Sequence, residues 1–260
     1  MYSDLYLQEL TAATDGWLRR AVTVLALTAA GVLVGLMAGN AMAAEHAAAP
    51  AAKAWTPATL RGALAALPQG DADRGRVVNQ QLFCASCHGD KGMAPTQNWP
   101  HLAGQKAAYT AKMLLDYQSH LRSENKGAAL MHDLAVMMTP QQIADVSAFY
   151  AAQPAPRDDG TPRPTAGQGL SAEQLVRKGD PARLLTPCAS CHGVQGQGGK
   201  LEASALSGQN PLYFTRTLLH YQSGLRANDA AKGMSHFAKK LTRGEIDALA
   251  AYYADLPVKP

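Results

Sequence analysis

Cys84-Ala85-Ser86-Cys87-His88 recurs, residue for residue, as Cys188-Ala189-Ser190-Cys191-His192, and the two strings hold all four cysteines of the 260-residue chain. No cysteine is left for a disulfide elsewhere. The offset of 104 between the strings persists around them: Gly75 matches Gly179, Gly89 matches Gly193, Gly92 matches Gly196, and Leu102, Gly104 and Gln105 match Leu206, Gly208 and Gln209. Tyr109 matches Tyr213, and Tyr117-Gln118-Ser119-His120-Leu121-Arg122 returns as Tyr221-Gln222-Ser223-Gly224-Leu225-Arg226. Beyond Arg122 the offset falls to 103, pairing Met131 with Met234 and Ile143 with Ile246. Two such copies predict two domains rather than a solenoid.

Each copy reads as short helices joined by irregular loops, without the alternating apolar runs of a sheet, so the expected class is all-α. The last helix of each is the most legible. Thr139 and Gln142, with Pro140 between them, make a capping box, and Thr242 with Glu245 repeats it. Behind them Ile143, Val146 and Tyr150, and likewise Ile246, Leu249 and Tyr253, form an apolar stripe at helical spacing.

Outside the copies, Arg19-Arg20 precedes an uncharged run from Ala21 to Ala44, which predicts an apolar leader helix over 1–43, either an export signal or a membrane anchor. Ala41-Met42-Ala43 is a small-x-small cleavage signature, whereas the length of the run suits retention. Both readings place the chain beyond Ala44 on the far side of the inner membrane. Residues 44–70 are expected to be a low-complexity tether, 71–153 the first domain, 154–169 a Pro/Gly-rich linker and 170–260 the second domain. A net charge of +4 does not point to nucleic acid. From Asp71 to Gln153 there are 7 Lys/Arg against 7 Asp/Glu, and from Leu170 to Pro260 11 against 7, so the two halves can face different partners.

CxxCH is the attachment signature of c-type haem. Two cysteines three apart on a helical turn share a face, so both thiols can form thioethers with one haem, and the next residue, His88 or His192, reaches the iron. Structural zinc would need a fourth ligand that neither string offers, and a redox-active CxxC would sit in a strand-rich fold. A sixth ligand is expected from methionine. Met234 is the second copy's single methionine, 42 residues after His192 and eight before Thr242; Met131 lies 43 after His88 and eight before Thr139. That common register selects Met131 and Met234 as axial ligands and leaves Met113, Met137 and Met138 as core filling. Arg122 and Arg226 read either as partners of haem propionates or interface charges, or as exposed helix-end cations. His120, His132, His220 and His236 read as surface residues.

Together, CASCHG twice, PHLAGQ and ALSGQ after them, YQSxLR, the methionine, the capping box and a closing aromatic pair resemble the di-haem cytochrome c4 family, tandem class I cytochrome c domains, from about Asp71 to Leu256. The resemblance implies two covalent haem c groups and an electron carrier of the periplasm, soluble or tethered by its leader, rather than an enzyme. Its implied partners are a bc1-type complex as donor and a cbb3-type or other terminal oxidase as acceptor. A cytochrome subunit of a larger dehydrogenase or oxidase complex, and a di-haem peroxidase, remain alternatives. It also implies that Gly75 and Gly179 let the first helix of each domain approach the aromatics Phe149/Tyr150 and Tyr252/Tyr253. Pro100, in the PxLxG position, should offer its carbonyl to the far nitrogen of His88. Its counterpart is Ser204, which keeps a carbonyl but not the rigidity, so the two haems are expected to differ in potential.

Overall fold

A computed structural model describes residues 53–156 and 170–256. The expected leader over 1–43 and most of the 154–169 linker lie outside the described residues. Among the described residues there is no strand, one isolated bridge joins Asp180 to Leu185, and no helix is long and apolar enough to cross a membrane. The all-α expectation holds.

The first copy contains α2 (Ala72–Gln81), α3 (Ala85–His88), α4 (Ala107–Gln118), α5 (Lys126–Ala135) and α6 (Pro140–Ala151). Before them lies α1 (Pro57–Ala65), inside the stretch expected to be a tether. Thr56 and Thr59 form its capping box, Pro57 opens it, and Leu60 is buried. Leu64 and Leu67 pack on the first core, and Trp55 Nε1 donates to Asp116 Oδ1. The Ala/Pro-rich composition of this stretch reads as a low-complexity tether, but a few apolar residues and one indole N–H suffice to dock it.

α2 crosses α6 so closely that a Cβ on Gly75 would lie 2.0 Å from the Asp145 carbonyl oxygen and 2.6 Å from Phe149 Cβ. The crossing is locked by Arg74, which donates to both carboxylate oxygens of Asp145 at 2.9 and 2.8 Å, and by Tyr150 Oη, which donates to Asn79 Oδ1 at 2.6 Å. Such a fork fixes orientation as well as distance. The capping boxes at Thr139/Gln142 and Thr242/Glu245 are both formed, and Ile143, Val146, Phe149 and Tyr150 bury the α6 stripe.

The second copy comprises α7 (Ala172–Arg177), a 3-10 turn (Pro181–Arg183), α8 (Ala189–His192), α9 (Pro211–Ser223), α10 (Gly233–Ala238) and α11 (Arg243–Asp255). Here the expected role of Gly179 fails. α7 ends before it, and Gly179, at φ +69°, turns the chain so that a Cβ would meet Leu185 O rather than the aromatics of α11. Cys84 N donates to the carbonyl of Asn79, five residues back, whereas Cys188 N donates to that of Leu175, thirteen back. The duplication is therefore interrupted ahead of Cys188 by an excursion. Arg183 pins it to α11, giving hydrogen bonds to Glu245 Oε1 and Oε2 at 2.7 and 3.0 Å and to the Lys240 carbonyl at 2.9 Å, with Asp180 also paired to its guanidinium.

The described halves belong to one compact unit. The start of the linker seats on both: Gly104 (φ +68°) makes room for Ala155 and Gly208 (φ +67°) for Pro156, which explains why these two glycines repeat.

Candidate haem sites and the interface between them

α3 and α8 are single turns with Cys84 and Cys188 at their N-caps, so His88 and His192 close each turn one residue past the second cysteine. Gly89 and Gly193 leave the turns at φ +74° and +79°. Both imidazoles are buried, and each Nδ1 meets a carbonyl: His88 with Pro100 O at 3.0 Å, His192 with Ser204 O at 2.8 Å. Donation to a carbonyl leaves Nε2 as the free ligand nitrogen. The bond expected at Pro100 is formed, and at Ser204 it survives without the proline. Burial lowers the pKa of both histidines, against the opposing carbonyl bond, and so favours the neutral form that can ligate a metal. Burial also raises the thiols of Cys84 and, to about 11, Cys188. An activated thiolate would show the reverse shift, which argues against a redox-active CxxC.

A cavity of about 210 Å³, walled mainly by apolar atoms, runs past both sites. Cys84, Cys87, His88 and Met131 line it from the first copy, and His192 and Met234 from the second. Met131 packs on the first core and Met234 on the second. Met138 is buried, as expected of core filling; Met137, in the turn before Thr139, is exposed instead. Arg226 Nη1 is buried without a hydrogen-bond partner and Arg226 also lines the cavity. An apolar slot flanked by paired cysteines, a neutral histidine and a buried guanidinium with one unpartnered nitrogen fits a haem, which is apolar over its ring and acidic at one edge.

Arg122 and Arg226 are not exposed helix-end cations: only 6 % and 2 % of their surface is accessible. They meet at the interface in a reciprocal arrangement. Arg122 Nη2 donates to Tyr213 Oη at 3.3 Å and Arg226 Nη2 to Tyr109 Oη at 3.2 Å. Each guanidinium also lies over its own domain's tyrosine, Arg122 at 4.8 Å from Tyr117 and Arg226 at 4.6 Å from Tyr221. At home Arg122 Nε also pairs with Glu124 Oε1 and Arg226 Nε donates to Asn228 Oδ1, both at 2.9 Å, so the repeated YQSxLR string supplies a cation held in its own domain that reaches across the interface. Met113 belongs to the first core, as expected, and also reaches the interface, its sulfur 3.4 Å from Arg122 Nη1 and 3.3 Å from Arg226 Nη2.

The repeated Gln105 and Gln209 cross the interface as well. Gln209 Oε1 accepts from His101 N at 2.9 Å and its Nε2 donates to His101 O at 3.0 Å; Gln105 does the same with Ala205, at 2.8 and 3.1 Å. Sequence reasoning found these glutamines as repeats but assigned them no role. It missed Lys112, Asp116, Asn228 and Glu202, which form a polar cluster beside the interface. The repeat does not carry its acids, because the residues that match Asp116 and Glu202 are His220 and Asn98. Of the four histidines read as surface residues, His132 is half-buried, stacks on His120 at 3.6 Å and places Nδ1 2.7 Å from the Tyr117 carbonyl.

Comparison with known proteins adds ancestry to this geometry. Residues 72–152 match the family model described as cytochrome c, and residues 184–252 match the one described as cytochrome c oxidase, cbb3-type, subunit III. Cytochrome c4 of Thiocapsa roseopersicina is 35% identical over 198 residues, 75% of this chain and 98% of that protein. The thiosulfate dehydrogenase electron acceptor of Stutzerimonas stutzeri is 30% identical over 212 residues, 79% of this chain and 96% of that one. The crystal structure of reduced recombinant cytochrome c4 from Pseudomonas stutzeri superimposes with a TM-score of 0.61 at 29% identity, covering 72% of this chain and all of the other.

Proposed function

The chain belongs to the cytochrome c4 family, an electron-transfer lineage with two covalently bound haem c groups, and on that premise we propose that it is a periplasmic carrier between a bc1-type complex and a terminal oxidase such as the cbb3 type. The supporting observation is that the cavity takes both a CxxCH histidine and a methionine from each copy, His88 with Met131 and His192 with Met234. Two protein ligands per iron would leave no position for a substrate, so these sites serve outer-sphere exchange rather than peroxide chemistry. When bound, each haem supplies a one-electron Fe(III)/Fe(II) couple. The chain holds the group through Cys84, Cys87, Cys188 and Cys191, presents neutral imidazoles, and excludes water with apolar walls. The loss of the proline at Ser204 supports unequal potentials for the two haems, so that one half receives and the other delivers.

A second donor is favoured by the relative whose printed name is a thiosulfate dehydrogenase electron acceptor. The purified haem-loaded protein, mixed in stopped flow with a bc1-type complex plus quinol or with a thiosulfate dehydrogenase plus thiosulfate, distinguishes the two by which mixture reduces it in milliseconds. Carbon monoxide binding to the reduced protein would overturn the closed-site reading.

A further inference from the structure

The residue that each interface glutamine grips comes directly after the residue that serves a haem histidine. His88 Nδ1 lies 3.0 Å from Pro100 O, and the same peptide's N–H, that of His101, donates to Gln209 Oε1 at 2.9 Å. In the other half His192 Nδ1 lies 2.8 Å from Ser204 O, and the N–H of Ala205 donates to Gln105 Oε1 at 2.8 Å. One planar peptide group is therefore held at both ends, by an imidazole of its own domain and by an amide of the opposite one. Both glutamines are buried, at 6 % and 8 % accessible, and each donates Nε2 back to the carbonyl of the residue it grips. The glutamine's position is thus over-determined.

Hydrogen bonds in series polarise one another: an acceptor on a peptide N–H makes the carbonyl across the amide more negative. A more negative Pro100 oxygen draws the Nδ1 proton of His88 more strongly and makes Nε2 a better donor to iron, which favours Fe(III). We infer that Gln105 and Gln209 are crossed positioning residues, each setting the potential of the haem in the opposite domain through the peptide that its histidine uses. The dependence runs from Gln209 through His101 and Pro100 to the His88 haem, and from Gln105 through Ala205 and Ser204 to the His192 haem. Docking of the two halves is then part of each site's redox chemistry, not only of its stability. The inference rests on His88 and His192 as iron ligands, a reading checked separately in the unsubstituted protein by hyperfine-shifted imidazole protons of both residues.

The test uses the full haem-loaded protein, titrated electrochemically while haem-methyl NMR signals, assigned to each half by NOEs to that half's residues, report the two irons separately. Gln209→Leu keeps the bulk and removes the acceptor; Gln209→Glu keeps an acceptor and makes it anionic. The expected result is that Q209L lowers and Q209E raises the Fe(III)/Fe(II) ratio of the first-domain haem at fixed potential by roughly two- to tenfold, the weight of one hydrogen bond, while the second-domain haem moves less. Q105L and Q105E should mirror this on the second-domain haem, and either pair suffices if a member of the other fails to fold. Shifts of the same sign for Leu and Glu, or larger shifts at the glutamine's own domain, would overturn the inference. So would potentials that stay in place.

Discussion

Lys112 and Asp116, one turn apart on α4, form an ion pair at 2.6 Å with 1% and 0% of their side-chain surface exposed. Asn228, from the other half, joins it from both sides: its carbonyl accepts from Lys112 Nζ at 2.7 Å and its Nδ2 donates to Asp116 Oδ2 at 2.5 Å. Trp55 Nε1 closes the shell on Oδ1. Asp116 thereby binds the segment before α1, α4 and the second half at one carboxylate. Burial lowers the pKa of Lys112 although Asp116 and Glu202 pull it upward, which marks the ammonium as costly to keep without its partner.

Asp116→Ala should therefore destabilise the protein by about 3–5 kcal/mol, because it strands a buried ammonium. Replacing both partners with apolar residues, Lys112→Met with Asp116→Leu, should cost much less than the single change. Denaturant midpoints of the two variants check this, and a double variant no more stable than Asp116→Ala would refute it.

The Glu245 carboxyl gives the second half an acid-sensitive lock. Burial would raise its pKa, but the Arg183 guanidinium and the N–H groups of Thr242 and Leu170 outweigh that and hold it at about 2. A depressed carboxyl contributes stability that is complete above its unfolded value near 4.5 and is lost as pH falls through about 2. Glu245→Gln should lower stability by about 1–3 kcal/mol at neutral pH, the worth of hydrogen bonds to a charged group. The gap between variant and parent should narrow between pH 4.5 and 2. Urea titrations across that range measure it.

The glycines of the helices should respond in opposite senses. A Cβ on Gly75 has no room against Asp145 O, whereas on Gly62 it meets nothing within 4 Å. Gly75→Ala should cost about 1–3 kcal/mol through forced separation of α2 and α6. Gly62→Ala should raise stability by roughly 0.5–1 kcal/mol through helix propensity. Thermal midpoints of the two single variants, measured with haem attached, give both signs.

Met234→Ala should abolish the methionine-to-iron absorption of one haem and open that iron to carbon monoxide, leaving the other haem closed. Met131→Ala should do the converse. A difference spectrum in which either variant keeps both bands would reject the ligand assignment.

The capping boxes at Thr139 and Thr242 and the apolar stripes behind them were legible because they depend on neighbours within one helical turn. α1 was not legible, since its hold on the core comes from Leu60 and Trp55 meeting residues far away in the chain. The pairing of Gly75 with Gly179 misled for a related reason. A shared offset aligns residues, but the excursion ahead of Cys188 shifts which ones the helix presents, and only the Cys188-to-Leu175 bond reveals it.

The two CxxCH strings, their offset and the common register of Met131 and Met234 determine by themselves that this is a duplicated haem-binding chain and which residues to examine, because covalent attachment needs a fixed local spacing. The tertiary structure alone decided what the other repeats are for. Gln105, Gln209, Arg122 and Arg226 recur whether they serve their own domain or the other; docking buries them, and a buried polar group must find its partner wherever geometry puts one. In this chain the partners of the two glutamines, His101 and Ala205, lie across the interface, one residue from the carbonyls that hold His88 and His192.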